Sequence, residues 1–200
     1  MRNFIYICFL IAARFSFSAE VALITTKEAS AKEFVKLVNI LDKKNISWEI
    51  FAVGEGEAFL KKAKVSHSRM GVWMPKKQIE MLSYDDVIAF AKVTAKACKK
   101  SKIIITEISD PFIARLHFEL GLISTAKRWI YYPDPSMNAA YEKSLNQILK
   151  THPEGVVFAC KEVKDEIQKL EIEEGIDIFT MSEESKSMEI QESFIKRLLS

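Results

Sequence analysis

Residues Lys102 to Asp134 read KIIITEISDPFIARLHFELGLISTAKRWIYYPD, and this stretch decides the fold. Ile103-Ile104-Ile105 is a β-branched run without polar alternation, the pattern of a parallel strand covered on both faces. Asp110 and Pro111 supply an N-cap and a first-turn proline, opening a helix on which Phe112, Ile113, Leu116, Leu120 and Ile123 recur at helical spacing. Arg128 to Tyr132 is the next strand, stopped by Pro133-Asp134-Pro135. Strand, helix and strand in this order predict a βαβ unit, and that unit predicts a doubly wound sheet.

Upstream of this unit, Val21 to Thr25 reads as the first strand and Ala29 to Lys43 as an amphipathic helix carrying Phe34, Leu37, Val38 and Leu41. Ile46 to Val53 is the second strand. Gly54-Glu55-Gly56-Glu57 closes it as a turn before a helix over Ala58 to Lys64. Met70 to Met74 has the composition of a short strand, and the apolar spacing of Asp85 to Lys100 describes a helix. Downstream, Met137 to Lys150 is helical, Gly155 to Ala159 is a buried strand, and Glu162 to Glu171 is a charged helix. Ile176 to Phe179 adds an edge strand, and Met188 to Leu199 is an amphipathic helix displaying Phe194, Ile195, Leu198 and Leu199. The expected fold is one three-layer α/β/α sandwich around a mainly parallel, Rossmann-like or flavodoxin-like sheet of about five or six strands.

Composition narrows the function classes. The 200 residues are 48% hydrophobic and 28% charged, figures of a globular domain. The opening segment MRNFIYICFLIAARFSFSAE places Arg2 before an apolar run from Phe4 to Ala13, with small residues at Ser16, Ser18 and Ala19. This is the layout of a secretory signal peptide covering residues 1–19, with an N-terminal strand or retained anchor as the alternative. The α/β domain then spans residues 20–180, and residues 181–200 form a polar linker and the last helix. The formal charge of +2 comes from 29 basic and 27 acidic side chains, and loss of Arg2 and Arg14 with the leader balances them. Such a chain lacks the electrostatic footprint of a nucleic-acid binder, and after leader removal no stable membrane span is expected. Cys98 and Cys160 remain as a pair that an oxidising compartment could join or that packs as two separate thiols. His67, His117 and His152 lack ligand spacing, so neither a structural metal nor a cofactor is expected.

In an open parallel sheet, ligands bind beyond the carboxyl ends of the strands, where helix N-termini and loop amides converge. That rule selects Thr25, Thr26 and Lys27 after the first strand, Gly54 and Glu55 after the second, Ser109 and Asp110 after the central strand, and Asp134 after the next. A small polar molecule such as a nucleotide, nucleoside or sugar suits such a crevice. Two carboxylates would repel a pyrophosphate at Gly54 to Glu57, so the turn itself accounts for those glycines. Thr25, Thr26 and Lys27 offer hydroxyls and a cation, or simply cap the following helix. Glu119, flanked by Phe118 and Leu120, is the candidate nucleophile or acid/base, although Arg115 four residues earlier equally explains it as an ion pair. Asp110 divides in the same way between helix cap and ligand contact, and His117 reads as a partly buried helix residue. Trp129, Tyr131 and Tyr132 serve either as stacking surfaces or as core.

Two family resemblances follow from these residues. The segments VALITTKEASAKEFVKLVNIL, WEIFAVGEGEAFLKKAKV, SKIIITEISD with AKRWIYYPDP, and EGVVFACKEVKDEIQKLEIEEGI occur in the order seen in the N-terminal domain of GT-B glycosyltransferase-like proteins. This resemblance spans Val21 to Ile176 and implies a stand-alone acceptor-side domain, a remnant, or a pseudoenzyme that binds. Secondly, TEISDPFIARLHFELG followed by KRWIYY resembles the segment of nucleoside 2-deoxyribosyltransferases and deoxynucleotide N-hydrolases that carries their catalytic glutamate. That resemblance implies attack by Glu119 on an anomeric carbon. Exported solute-binding proteins also begin with an α/β lobe after a leader, but roughly 180 mature residues is short for two lobes. The sequence therefore supports an exported, periplasmic or secreted domain that binds a small ligand, or a cytoplasmic or anchored one if the leader stays. An N-glycosidase reading through Glu119 and a scaffold role are the alternatives. The final amphipathic helix offers a homodimer contact.

Overall fold

The computed structural model describes residues 19–70, 84–108, 111–132, 145–158, 175–180 and 188–200. Its strands are β1 (Val21–Thr25), β2 (Trp48–Ala52), β3 (Ser68–Arg69), β4 (Ile103–Glu107), β5 (Lys127–Tyr132), β6 (Gly155–Phe158) and β7 (Asp177–Thr180). The helices are α1 (Glu28–Lys43), α2 (Gly54–Lys62), α3 (Tyr84–Cys98), α4 (Pro111–Ile123) and α5 (Met188–Leu199), and residues 145–149 are also helical. All seven strands form one sheet in the order β3-β2-β1-β4-β5-β6-β7, and every pairing is parallel. The sheet exceeds the expected five or six strands because Ser68–Arg69 adds an edge strand beside β2, while Asp177–Thr180 is the edge strand expected over Ile176 to Phe179.

The aliphatic runs are continuous because both faces of the sheet are covered. Ala22, Ile24, Ile104, Ile130 and Val156 face one layer, against Phe90, Ala91 and Ala95 of α3 and Ile113, Leu116 and Leu120 of α4. Leu23, Ile50, Ile103, Ile105, Trp129, Tyr131 and Val157 face the other, against Phe34, Leu37 and Leu41 of α1 and Leu60 of α2. The strand order turns back between β1 and β4, and right-handed crossovers then place α1 and α2 opposite α3 and α4. Phe194, Ile195 and Leu198 of α5 complete the α1 layer, with Phe194 edge-on to Trp129 at 5.5 Å and beside Phe179 at 5.1 Å. Three of the four apolar stripe residues of the last helix are thus covered within the chain while Leu199 stays 49% exposed, and a homodimer through α5 would have to use its outer face.

Element ends follow local backbone chemistry. Asn45 adopts φ 55°, with its N–H donating to Asp42 O and the N–H of Ile46 donating to Leu41 O. This is a Schellman closure of α1. It takes Ile46 out of the strand, which is why β2 begins at Trp48. Lys64 (φ 57°) repeats the motif after α2, with Val65 N–H donating to Leu60 O, so that helix ends at Lys62. Arg128 joins α4 to the segment before β6, donating to His117 O at 3.1 Å, Thr151 Oγ1 at 3.0 Å and His152 O at 3.2 Å. Cys98 is a free, buried thiol pushed by desolvation up to about 12, and its Sγ–H donates to Thr94 O at 3.2 Å. Cys160, the expected strand over Met70–Met74 beyond its first residue, and the expected helix over Glu162–Glu171 lie outside the described residues.

Candidate functional site

The turn-back of strand order between β1 and β4 marks the place where the two halves of the sheet diverge and a crevice opens. Register aligns Ile24 with Thr106, so Thr25 and Glu107 end their strands side by side. Glu107 is fully buried, and its carboxylate organises the loop from β1 to α1. Oε2 accepts from Thr25 Oγ1 at 2.9 Å, while Oε1 accepts from Lys27 N–H at 3.0 Å and from the N–H and hydroxyl of Thr26. Thr25 Oγ1 also lies 3.0 Å from Lys27 O.

The N–H of Lys27, the capping position of α1, is therefore already taken by an anion that belongs to the protein. Helix N-termini attract phosphates and carboxylates through exposed N–H groups and the macrodipole. Here the amides of Thr26 and Lys27 point at Glu107. The Lys27 side chain, half-buried at the same loop, makes no ion pair among the described residues. Glu107 escaped the sequence reading because a carboxylate inside a β-branched run resembles the polar end of a strand. Its position directly after Thr106, at the end of the central strand, was the available signal.

Gly54 and Glu55 are exposed beside this loop. Their composition is that of a turn, whereas the structure makes them the first turn of α2. Gly56 N–H donates to Thr26 O at 3.0 Å, tying α2 onto the β1–α1 loop. A Cβ at Gly56 would meet Thr25 Oγ1 at 3.1 Å and Lys27 O at 3.2 Å, so a glycine permits this close approach. Buried Glu57, ion-paired with Lys61 and with Arg69 Nε at 3.3 Å, anchors the same helix to β3. Thr25, Thr26, Lys27, Gly54 and Glu55 are thus brought together with Glu107, while Ser109, Asp110 and Asp134 lie outside the described residues.

Glu119 is placed differently. It lies eight residues beyond Pro111, about 12 Å down the helix at 1.5 Å per residue. Its buried carboxylate accepts from Arg115 Nη2 at 2.5 Å, and the Arg115 guanidinium lies over the Phe118 ring at 4.9 Å. A nucleophilic Glu119 would have to give up Arg115 and meet its substrate away from the strand ends. His117 is fully buried on the inner face of α4, with Nε2 against Thr106 Oγ1 at 2.5 Å and Nδ1 without a hydrogen-bond partner among the described residues. Desolvation, aided by the Arg128 charge, lowers its pKa to about 3, so it is neutral near pH 7. Trp129, Tyr131 and Tyr132 are buried as core and offer no exposed stacking face. Among the described residues, no group of His, Cys, Asp and Glu side chains could hold a metal ion.

No protein-family model matches the chain, and a search of curated proteins finds no match. Solved structures do match. A sucrose-phosphate synthase structure from Thermosynechococcus elongatus superposes with a TM-score of 0.54 at 9% identity, over 90% of this chain and 97% of that one. A glycosyltransferase from Rickettsia africae gives 0.57 at 15% identity, over 88% of this chain and 48% of the other, so the chain spans about half its length. The chain thus has the Rossmann-like α/β fold that these glycosyltransferases share, in agreement with the GT-B-like layout of its sequence.

Proposed function

We propose that this chain binds a nucleotide, nucleoside or sugar-type ligand in the crevice at the carboxyl ends of β1 and β4, as a GT-B-like N-terminal domain. The observation that carries the reading is the reversal of strand order at a loop held in place by Glu107. A loop already fixed by an internal carboxylate loses little entropy on binding. With the α1 anion position filled by Glu107, an acidic group of the ligand falls to the Lys27 side chain and the positive end of α4. The names of the structural neighbours, a sucrose-phosphate synthase and a glycosyltransferase, favour a sugar or nucleotide over other polar guests. Export of the domain belongs to the same proposal, and N-terminal sequencing of the protein from its native host tests it by finding a chain that begins near Ala19 or Glu20.

The test of binding is a thermal-shift screen with nucleosides, nucleotides, nucleotide sugars, simple sugars and amino acids. A ligand present at about 100 times its Kd stabilises the fold by about 2.7 kcal/mol, a readily measured rise in Tm. The Lys27→Glu variant should lose most of the rise for an anionic ligand, and Glu119→Gln should keep it. Absence of any shift at millimolar concentrations defeats the proposal. A hit confined to amino acids replaces it with a solute-binding role.

A further inference from the structure

At the amino ends of the strands, remote from the crevice, the C-terminal halves of α3 and α4 lie together, joined where Ser124 Oγ donates to Lys99 O at 3.2 Å. Counting back along each helix at 1.5 Å per residue, Val93 and Phe118 both sit about 8 Å above this junction. Their outer faces carry the largest exposed apolar side chains of the two helices. Leu122 is 66% exposed, Val93 51%, Phe118 46% and Ile123 44%. Exposed alanines at Ala89 and Ala97 extend the α3 side of the surface. Single exposed leucines need no explanation, but four large apolar side chains on adjoining helices do.

Among the described residues, the exposed charges on the C-terminal halves of the two helices are basic, and Glu20 at the same end of the sheet is paired with Lys102. Lys92, Lys96, Lys99 and Lys100 are exposed, and none makes an ion pair among the described residues. No acidic residue occurs from Lys92 to Lys102. From Phe118 to Lys127 the one carboxylate is Glu119, which is buried against Arg115. Basic residues in a last helical turn complement the macrodipole, which accounts for some of these lysines but for none of the exposed aliphatic groups.

We propose that this corner of the α3–α4 layer docks reversibly on an anionic lipid bilayer. Apolar side chains enter the boundary between headgroups and acyl chains while lysines remain at the phosphates, the division of labour of interfacial protein surfaces. A nucleic acid would satisfy the lysines and leave the four apolar groups in water. A second copy docking symmetrically would bring lysine clusters of like charge together. No described helix is long and apolar enough to cross a membrane. The surface lies at the opposite end of the sheet from the candidate crevice, which stays open to solvent when the protein is docked.

Sedimentation of the full chain with phosphatidylcholine vesicles, and with vesicles containing equal phosphatidylcholine and phosphatidylglycerol, tests this. Binding should require phosphatidylglycerol and weaken in high salt. Leu122→Glu and the pair Lys96→Gln with Lys100→Gln should each reduce partitioning on the order of tenfold or more, at about a fivefold loss per lysine. Both are exposed substitutions, and unchanged circular dichroism and Tm would show that the fold is intact. Variants that sediment like the parent would overturn the proposal and assign any binding to the apolar N-terminal segment. Equal binding to both vesicle types, or no binding, also overturns it. A parent dimer on size exclusion that Leu122→Glu dissociates, without vesicle binding, would replace the bilayer with a second copy.

Discussion

Replacement of Glu107 separates a carboxylate that organises the crevice from one that merely ends a strand. In Glu107→Ala, the amides of Thr26 and Lys27 lose their acceptor inside the protein. Each orphaned buried donor costs about 1–3 kcal/mol, so the two together cost about 4 kcal/mol before any cavity term. Glu107→Gln should behave otherwise. Its carbonyl can take the place of Oε1 and retain the Thr26 and Lys27 donors, while its amide nitrogen takes the place of Oε2 beside Thr25 Oγ1. That hydroxyl can then accept from the amide and donate its own proton to Lys27 O, 3.0 Å away. The donors of Thr25, Thr26 and Lys27 each keep an acceptor, and the cost falls to about 2 kcal/mol, for the change from a charged to a neutral acceptor and for the second N–H of the new amide. Urea unfolding reads both. With a slope of about 2 kcal/mol per molar, the alanine variant should lower the midpoint by about 2 M and the glutamine variant by about 1 M. An alanine shift below about 0.5 M would show that the loop does not depend on this carboxylate, and a glutamine shift as large as the alanine one would refute the retained hydrogen bonds.

Two other perturbations probe the sheet. In Gly155→Ala the added Cβ would meet Trp129 Cζ3 at 2.5 Å and Asp177 O at 2.6 Å. The indole cannot retreat from Phe194 without disturbing α5, so a loss of about 2–3 kcal/mol is expected, measured as a lower urea midpoint. For His117, a folded pKa of about 3 against an ordinary value of 6.5 means that the unfolded chain binds the extra proton between those limits. Stability is therefore unaffected above pH 6.5, falls by up to about 1.4 kcal/mol per pH unit below it, and levels off near the folded pKa. Unfolding midpoints measured from pH 7 to pH 4 should show this acid limb, and His117→Gln should flatten it; an unchanged slope in the variant would assign the proton to another group.

The fold was legible because one kind of information repeats along the chain. β1 and β4 carry short apolar runs with no alternation, and each is followed by a helix whose apolar spacing has one covered face. Burial on both sides of the sheet produces that pattern directly, as Ala22 and Ile24 pack against α3 and α4 while Val21 and Leu23 pack against α1. The C-terminal helix has the bounds its periodicity predicts, Met188–Leu199. The differences arose where backbone geometry outranked side-chain pattern. Ile46 has a strand-forming side chain, yet the left-handed Asn45 commits its N–H to Leu41 and keeps it in the helix cap. Gly54-Glu55-Gly56-Glu57 has turn composition, yet Gly56 lets α2 approach Thr25 and Lys27 and start one turn early.

The site was legible only in its location. The carboxyl ends of parallel strands could be placed from the sequence, and Thr25, Thr26 and Lys27 do gather at the turn-back of the sheet. The residue that organises them could not be found by pattern, because Glu107 meets its partners across about eighty positions of chain, a separation of 82 from Thr25 and 80 from Lys27. Local spacing instead drew attention to Glu119 and Arg115, a contact of four residues within one helix, which a sequence displays openly. The same asymmetry bears on ligand choice. A carboxylate at the α1 terminus supplies from within the chain the negative charge that a phosphate would otherwise supply. A ligand bound against this loop must then avoid placing a second anion beside Glu107. Under the proposed reading its acidic group, if it has one, falls on the Lys27 and α4 side, because Thr25 and Thr26 are buried with their hydroxyls committed to Glu107. A neutral sugar or nucleoside that stabilises the protein as well as its phosphorylated form would show that binding needs no anion contact, whereas a strict requirement for phosphate would place the decisive contact on Lys27 or α4.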